Sequence, residues 1–166
     1  CPYHAWTFRL DGQLIGAPYM PGLDASEHRL GALALEVWEG FVFVNASPTP
    51  EPLAPALEGL TDVVGRFRMD RYVPVHEQVE EWATNWKLLV ENFMDSYHVF
   101  RVHRATFGAS STSPLNTTMY PGTDAWAHHV ALDPDDMAAP DNTILVGDWR
   151  RSVVLAAVFP THVMQL

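Results

Sequence analysis

The stretch from residue 85 to residue 103, NWKLLVENFMDSYHVFRVH, constrains the fold and chemistry of this chain more than any other. Asn85 is a favourable N-cap, so the sequence predicts a helix that starts at the next residue. At about 100° per residue, Glu91, Asp95 and His98 fall on one stripe of that helix. Ionisable groups beside buried apolar surface lower the stability of the fold, and they are usually kept where they bind a ligand or transfer a proton or electron. We therefore expect a functional site here. The apolar side chains expected to bury the helix are Leu88, Leu89, Val90 and Phe93.

Two histidines lie near the end of the same stretch, an arrangement that is also typical of an ordinary helix end. His103 follows His98 by five residues, roughly 140° further round an ideal helix. Both imidazoles can therefore bind one metal ion only if the helix bends, bulges or ends between them. Asp95 precedes His98 by three residues, and a metal-binding histidine commonly donates its second ring N–H to a carboxylate. Two histidines with one carboxylate ligand are typical of non-haem Fe(II) oxygenases. Spacing selects no third ligand; the candidates by chemistry are Glu91, Asp124 and Asp148.

A second pair of metal-ligating side chains, Cys1 and His4, precedes a predicted hairpin whose turn is Asp11-Gly12. A thiolate and an imidazole three residues apart on a tight loop can bind one metal ion. In isolation the pair is better explained as a buried thiol and a surface imidazole, because two ligands seldom make a site.

Composition excludes several classes of function. The formal net charge is -10, which favours neither nucleic acid nor an anionic membrane as a partner. No apolar run reaches the roughly 18 residues of a membrane span. The single cysteine rules out an internal disulfide and fits a reducing, cytoplasmic compartment.

The remaining pattern predicts an α+β fold, with mostly antiparallel strands around one long helix. Residues 33–46 read as two strands around Gly40, and the run Phe41–Val44 is expected to be buried on both faces. Four prolines mark a linker, which we place at residues 48–55. Beyond it the sequence predicts a short helix at Leu57–Gly65 and strands at Tyr72–Glu81, Thr117–Tyr120, Ala125–Leu132, Ile144–Trp149, Arg151–Val158 and Thr161–Leu166. Loops are predicted at Thr106–Asn116 and Asp133–Asn142.

Several conspicuous side chains have an ordinary structural interpretation. His128 and His129 alternate across a predicted strand, so at most one of them faces any pocket, and we interpret both as structural. Four aromatic side chains are interpreted as core rather than as a substrate box: Trp82, Trp86, Phe93 and Tyr97.

The two motifs together resemble a known family. Cys-Pro-Tyr-His-Ala-Trp-Thr at the start, followed by Asp11-Gly12, resembles the second half of a Rieske 2Fe–2S motif. The second resemblance is to the mononuclear iron motif of Rieske non-haem iron oxygenases, which are the large subunits of ring-hydroxylating dioxygenases and related monooxygenases. It is carried by the segment Asn-Trp-Lys…Glu-Asn-Phe-Met-Asp-Ser-Tyr-His-(four residues)-His. The order of the motifs and the intervening Gly-Phe-Val-Phe-Val-Asn strand also match.

The resemblance implies a role for each site residue. Cys1 and His4 would be ligands of a 2Fe–2S cluster, and His98 and His103 would bind the catalytic Fe(II). Asp95 would be the bridging carboxylate that links the cluster of one subunit to the iron of its neighbour. The expected substrate pocket would be lined by residues such as Phe93, Met94 and Phe100.

The resemblance also implies an architecture with three parts. Residues 1–47 would be the C-terminal half of a β Rieske domain, residues 48–55 a linker, and residues 56–166 the N-terminal part of a helix-grip antiparallel-sheet catalytic domain. We expect the chain to be truncated at both ends, because the family's first Cys-x-His and its third iron ligand have no counterpart here. As given, the polypeptide is expected neither to assemble a cluster nor to turn over.

The parent protein would use O2 and NAD(P)H-derived electrons, delivered by a reductase with or without a ferredoxin. It would hydroxylate an aromatic, quaternary ammonium or other small organic substrate, and the bridge between subunits implies a homo-oligomer, a trimer by family likeness. Two rival hypotheses are a helix-grip binding protein for apolar ligands without redox chemistry, and an electron-transfer Rieske protein without catalytic iron.

Overall fold

The computed structural model describes residues 1–107, 114–132 and 144–166. The predicted loop Asp133–Asn142 lies outside these residues, as does most of the predicted loop Thr106–Asn116. The chain forms two compact units, one of Cys1–Val37 with Val42–Glu51 and one of Trp38–Phe41 with Pro52–Leu166. Short helices and antiparallel strands make up the described chain, which confirms the α+β class.

The first unit begins with the predicted hairpin. Strand β1 (Thr7–Phe8) pairs antiparallel with β2 (Leu14–Gly16). Gly12 has φ +89°, a left-handed conformation that glycine adopts without the strain of a Cβ. Its N–H donates to the carbonyl of Arg9 over 2.9 Å and closes the turn. The Asp-Gly signal therefore predicted the turn correctly.

A second hairpin joins β3 (Ala34–Trp38) to β4 (Phe41–Asn45). Its two turn residues, Glu39 and Gly40, have φ of 49° and 90°, the pattern of a tight left-handed turn. The prediction that Phe41–Val44 is buried on both faces is wrong, because Val42 and Val44 are 61% and 57% exposed. A strand is buried on both faces only where other layers cover both of them, and an apolar run alone does not supply those layers.

The second unit opens with two short helices, α1 (Leu53–Ala56) and α2 (Glu58–Val64). The extended chain of the proline-rich segment therefore ends at Pro52, the N-cap of α1. Helix α2 confirms the predicted helix at Leu57–Gly65 and buries Leu60 and Val64 completely.

A four-stranded antiparallel sheet forms the centre of the second unit, with its strands in the order β5-β6-β7-β8. The strands are β5 (Thr117–Met119), β6 (Trp126–Leu132), β7 (Ser152–Val158) and β8 (His162–Gln165). All four lie within predicted strands, and the predicted interruption at Pro160 separates β7 from β8.

Helices cover both faces of this sheet. On one face, the indole Nε1–H of Trp126 donates to the carbonyl of Ala56 over 3.1 Å. Gly59 approaches the same indole so closely that an added Cβ would lie 3.0 Å from the ring. Helix α3 (Trp86–Met94) packs against β7. Its end shares a cleft with Met119, which lies opposite His129 and therefore on the face away from Trp126. The sheet is therefore the middle layer of three.

Two predicted strands are wrong. Residues 73–81 form no regular element and follow a 3-10 turn at Met69–Arg71. A strand requires a pairing partner, and Pro74 cannot donate to one. The other segment, Ile144–Trp149, contains the start of a 3-10 helix at Gly147–Arg151 instead.

That 3-10 helix has local polar contacts that compete with strand formation. The Arg151 guanidinium donates to Asp148 Oδ1 over 2.9 Å, and the hydroxyl of Ser152 donates to the Asp148 carbonyl over 2.9 Å. Across the described ranges, no helix is both long enough and apolar enough to cross a bilayer.

Candidate metal centre

Helix α3 begins where the sequence predicts and ends earlier than predicted. The side chain of Asn85 accepts a hydrogen bond from the Lys87 N–H over 3.0 Å, so the predicted N-cap is confirmed. The helix ends at Met94, and Asp95 has extended backbone angles, φ −83° and ψ 105°. The prediction that Glu91, Asp95 and His98 share one helical stripe is therefore wrong.

The Asp95 side chain explains why the helix ends there. Its Oδ1 accepts the backbone N–H of Tyr97 over 2.7 Å, which is a local alternative to the helical hydrogen-bond pattern. The N–H of Asp95 still donates to the carbonyl of Glu91 over 2.9 Å and completes the last turn. The chain then changes direction before His98.

The two histidines occupy the ends of the next helix, α4 (Val99–Val102), with His98 as its N-cap and His103 as its C-cap. Their ring centroids are 5.2 Å apart and the ring planes make an angle of 64°. When two imidazoles bind one ion, each ring centre lies one metal–nitrogen bond of about 2.1 Å plus one ring radius from the ion. The two ring centres are then roughly 5 Å apart. The observed separation fits a shared ion, and ring nitrogens are suitable ligands for iron.

His98 is oriented by Asp95. The Nδ1–H of His98 donates to Asp95 Oδ2 over 3.0 Å, which leaves Nε2 with its lone pair available for a metal. Desolvation acts to raise the pKa of Asp95, but hydrogen bonds from Tyr97 and His98 outweigh it and the pKa is lowered. Asp95 is therefore the charged acceptor that fixes the His98 tautomer.

The structure brings no third ligand to this pair within the described ranges. No group of three His, Cys, Asp or Glu side chains there is arranged to hold a metal ion. Of the three candidates by chemistry, Glu91 lines a cleft with Asp95, Asp124 lies in another cleft near Lys87, and Asp148 is paired with Arg151.

A cleft of about 530 Å³ lies beside Asp95, between the end of α3 and strand β5. Of the residues expected to form the substrate pocket, Met94 lines this cleft, whereas Phe100 packs edge-on against Tyr97 at 5.5 Å between ring centroids. The full lining is Glu91, Met94, Asp95, Ser96, Tyr97, Thr117 and Met119.

Of the four aromatic side chains interpreted as core, three are exposed: Trp82, Trp86 and Tyr97. The interpretation is wrong for these three, whereas Phe93 is half-buried. Helix α3 has no buried residue, and Leu88 and Leu89 are exposed as well. The helix therefore covers one face of the sheet without being enclosed on its own outer side.

In the first unit, Cys1 and His4 flank one tight turn. The N–H of Ala5 donates to the carbonyl of Cys1 over 2.9 Å, and Ala5 has φ +58°. Both ligand candidates are exposed, and the ring of Tyr3 packs edge-on against that of His4 at 3.9 Å. The thiol is not buried, in contrast to its simplest structural interpretation.

Sequence reasoning gave no role to His129, which the structure places near the candidate centre. His128 and His129 are both buried on β6 and point to opposite faces of the sheet. His129 lies directly opposite Met119, a lining residue of the cleft. Alternation along the strand predicts that the two histidines face opposite sides, but only the strand register shows which of them lies on the side of the cleft.

Comparison with known proteins places these features in a family. The family described as ring hydroxylating alpha subunit (catalytic domain) matches residues 69–156. Glycine betaine monooxygenase oxygenase subunit of Chromohalobacter salexigens is 36% identical over 106 residues, which are 62% of this chain and 24% of that protein. Carnitine monooxygenase oxygenase subunit of Escherichia coli is 32% identical over 112 residues, which are 62% of this chain and 29% of that protein.

A third relative and a solved structure extend the comparison. Anthranilate 1,2-dioxygenase large subunit of Burkholderia cepacia is 29% identical over 117 residues, 62% of this chain and 27% of that protein. A crystal structure of the quaternary ammonium Rieske monooxygenase CntA superposes with a TM-score of 0.79 at 23% identity. It covers 99% of this chain and 43% of CntA, and it shows the shared fold.

The chain spans about a quarter of the length of the curated relatives that it matches. The matched segment contains helix α3, Asp95 and the two histidines of the candidate centre. The resemblance inferred from the two motifs is thereby confirmed, and the chain belongs to the ring hydroxylating alpha subunit family.

Proposed function

We propose that this chain is part of the oxygenase subunit of a Rieske non-haem iron oxygenase, which uses O2 and NAD(P)H-derived electrons to hydroxylate a small organic molecule. The observation that carries the proposal is the geometry of His98 and His103, whose ring centres are 5.2 Å apart. One of the two rings, that of His98, is hydrogen-bonded to Asp95. These residues lie within the segment that matches the family's catalytic domain.

In this proposal His98 and His103 hold Fe(II), with a third ligand supplied by another part of the protein. When bound, the iron supplies the activation of O2 for insertion of oxygen into a C–H bond. Asp95 keeps the Nδ1 proton of His98 in place, so that Nε2 stays unprotonated and directed to the metal.

Cys1 and His4 are proposed as two of the four ligands of a Rieske 2Fe–2S cluster, which carries two Cys and two His. Their exposure on one turn supports this assignment, because cluster ligands at a surface can face a partner subunit. Residues 1–47 are proposed as part of the Rieske domain, 48–55 as the linker and 56–166 as part of the catalytic domain.

Asp95 is proposed to connect the two centres across a subunit boundary in a homo-oligomer, a trimer by family likeness. Its carboxylate would contact His98 of its own chain and the partner subunit's His4. The side chain is about half exposed, so it is accessible to a partner. A reductase, with or without a ferredoxin, would deliver the electrons, and the lone cysteine agrees with a reducing, cytoplasmic compartment.

For the substrate we propose a quaternary ammonium compound. Two relatives are named for glycine betaine and carnitine, both of which are trimethylammonium compounds. The cleft beside Asp95 offers Glu91 and the aromatic ring of Tyr97, and carboxylates and aromatic faces both attract a quaternary cation. O2, two electrons and two protons would insert one oxygen atom into an N-methyl C–H bond and release water.

The test uses the full-length protein. It should contain iron and acid-labile sulfide, show the visible spectrum of a Rieske cluster, and consume O2 with a trimethylammonium substrate in the presence of a reductase and NAD(P)H. Anthranilate is the matched comparison, because a dioxygenase for that aromatic acid is also a relative. A metal-free protein that still binds small apolar molecules would contradict the proposal and support a binding function on the same fold.

A further inference from the structure

A second cleft, which we call the Trp86 cleft, lies beside helix α3 and has a volume of about 350 Å³. This volume is in the range of small-molecule sites, roughly 300–1,000 Å³. Two aromatic side chains, two carboxylates, one lysine and one valine line it: Trp86, Phe159, Glu91, Asp124, Lys87 and Val90. Glu91 also lines the cleft beside Asp95, so the two clefts adjoin one another at this residue.

The backbone fixes both aromatic walls of the Trp86 cleft. Trp86 is the first residue of α3 and directly follows the Asn85 cap. Phe159 directly follows β7, and its N–H donates to the carbonyl of Ala125 over 2.8 Å, next to Asp124. Trp86 is 42% exposed and Phe159 is half-buried. Both rings therefore have defined positions and remain partly accessible to a ligand.

The charges in the Trp86 cleft are of both signs. Within the part of the chain that the structure describes, the carboxylate of neither Glu91 nor Asp124 takes part in an ion pair. The Lys87 ammonium lies over the indole of Trp86, with Nζ 5.8 Å from the ring centroid. Proteins hold quaternary ammonium ligands by the same contact between a cation and an aromatic face. The cleft therefore offers aromatic faces and carboxylates to a cation, and one ammonium to an anion.

We propose that the Trp86 cleft is a second binding site, for a compound that carries both a trimethylammonium group and a carboxylate. This inference takes its ligand class from the proposed function and rests on it, since glycine betaine and carnitine, for which two relatives are named, carry both groups. The cation lies against Trp86 and Phe159 with Asp124 beside it. The Lys87 ammonium, on its flexible stem, moves from the indole to the carboxylate of the ligand. A ligand in this site is held next to the cleft of the proposed metal centre.

Calorimetric titration of the full-length protein tests the site with two probes, carnitine and tetramethylammonium chloride, of which only carnitine has a carboxylate. We expect the parent to bind a second carnitine molecule per chain. Trp86→Leu and Asp124→Asn should each weaken this second site about 3- to 10-fold for both probes. Lys87→Met should weaken it about 2- to 5-fold for carnitine and should not weaken it for tetramethylammonium.

Tryptophan fluorescence locates the second site. The described residues that line the cleft beside Asp95 include no tryptophan, so a change in fluorescence on addition of carnitine reports the Trp86 cleft. Trp86→Phe keeps an aromatic face and should retain the second site while losing most of the fluorescence change; it also carries the test if the leucine variant does not fold.

Two exposed residues outside both clefts provide matched controls. Trp82→Phe removes another exposed indole, and Asp62→Asn removes another exposed carboxylate. Both variants should keep the second site and the fluorescence change. A fluorescence change that is lost in Trp82→Phe and kept in Trp86→Phe would overturn the inference.

The outcomes distinguish this inference from the proposed function, because calorimetry requires no turnover. A single carnitine molecule per parent chain would overturn the inference, and so would parent-like affinities in both Trp86→Leu and Asp124→Asn. Binding at a second site that depends on Trp86 and Asp124, in a protein that consumes no O2 with carnitine, would support the inference and contradict the proposed function. Consumption of O2 with one binding site per chain would do the reverse.

Discussion

The hydrogen bond from Nδ1 of His98 to Oδ2 of Asp95, 3.0 Å long, spans the gap between two helices. Asp95 is the C-cap of α3 and His98 is the N-cap of α4. Neither residue lies inside a helix, so the helical backbone does not set the direction of either side chain. The side chains instead fix one another, and the Tyr97 N–H holds the other carboxylate oxygen at 2.7 Å. The break between the helices is what allows the carboxylate and the imidazole to meet.

Asp95→Asn should therefore slow electron transfer to the iron more than it lowers the metal content. An amide places either an NH2 or a carbonyl against His98, loses the negative charge and weakens the preference for the Nδ1–H tautomer. In the full-length enzyme we expect both metals to be retained and electron transfer to the iron to slow by about 10- to 100-fold. Single-turnover kinetics measure this rate, with Asp148→Asn, an exposed ion-paired carboxylate elsewhere, as the control. Unchanged reduction of the iron would refute the bridging role.

His98→Ala and His103→Ala should each lose iron while the cluster remains. Both imidazoles are proposed ligands at a centroid separation of 5.2 Å, and removal of one leaves too few protein ligands to retain the ion. Iron analysis together with the visible spectrum of the cluster measures the two centres separately. His76→Ala, which removes an exposed histidine outside the centre, is the matched control. Full iron occupancy in either ligand variant would contradict the assignment.

The sequence predicted those features that depend on neighbouring residues. The Asn85 cap, the Asp11-Gly12 turn and the break at Pro160 are local, and each is present in the structure. The end of α3 is also local, but hydrophobic periodicity predicted a helix that continues past Met94. Periodicity takes no account of the hydrogen bond that the Asp95 side chain accepts from the Tyr97 N–H.

Features that depend on distant partners were not predictable in the same way. Residues 73–81 have a strand-like pattern but no regular structure, because pairing is decided by other parts of the chain. The apolar residues Val42 and Val44 are exposed, because burial requires a covering layer. The contrast between His128 and His129 required the strand register, which placed only His129 opposite Met119.

Asn85→Ala should destabilise the helix that leads into the candidate centre. The substitution leaves the Lys87 N–H without the side-chain acceptor at 3.0 Å. Loss of such an N-cap typically lowers the free energy of unfolding by about 1 kcal/mol. Urea unfolding of the full-length protein measures the change, and Asn85→Ser, which keeps a capping oxygen, should recover most of it. Equal losses in the two variants would show that the cap contributes nothing.

Buried histidines on the sheet should make the protein sensitive to mild acid. Burial lowers the pKa of His128 from its ordinary value of 6.5, so the unfolded chain takes up a proton at a higher pH than the folded chain does. This contribution to the free energy of unfolding is complete above about pH 6.5 and is lost progressively as the pH falls below that value. The slope of unfolding free energy against pH, measured from about pH 7.5 to about pH 5.5, should become shallower in His128→Gln, because glutamine does not titrate. Identical slopes for parent and variant would show that His128 is not held neutral by the fold.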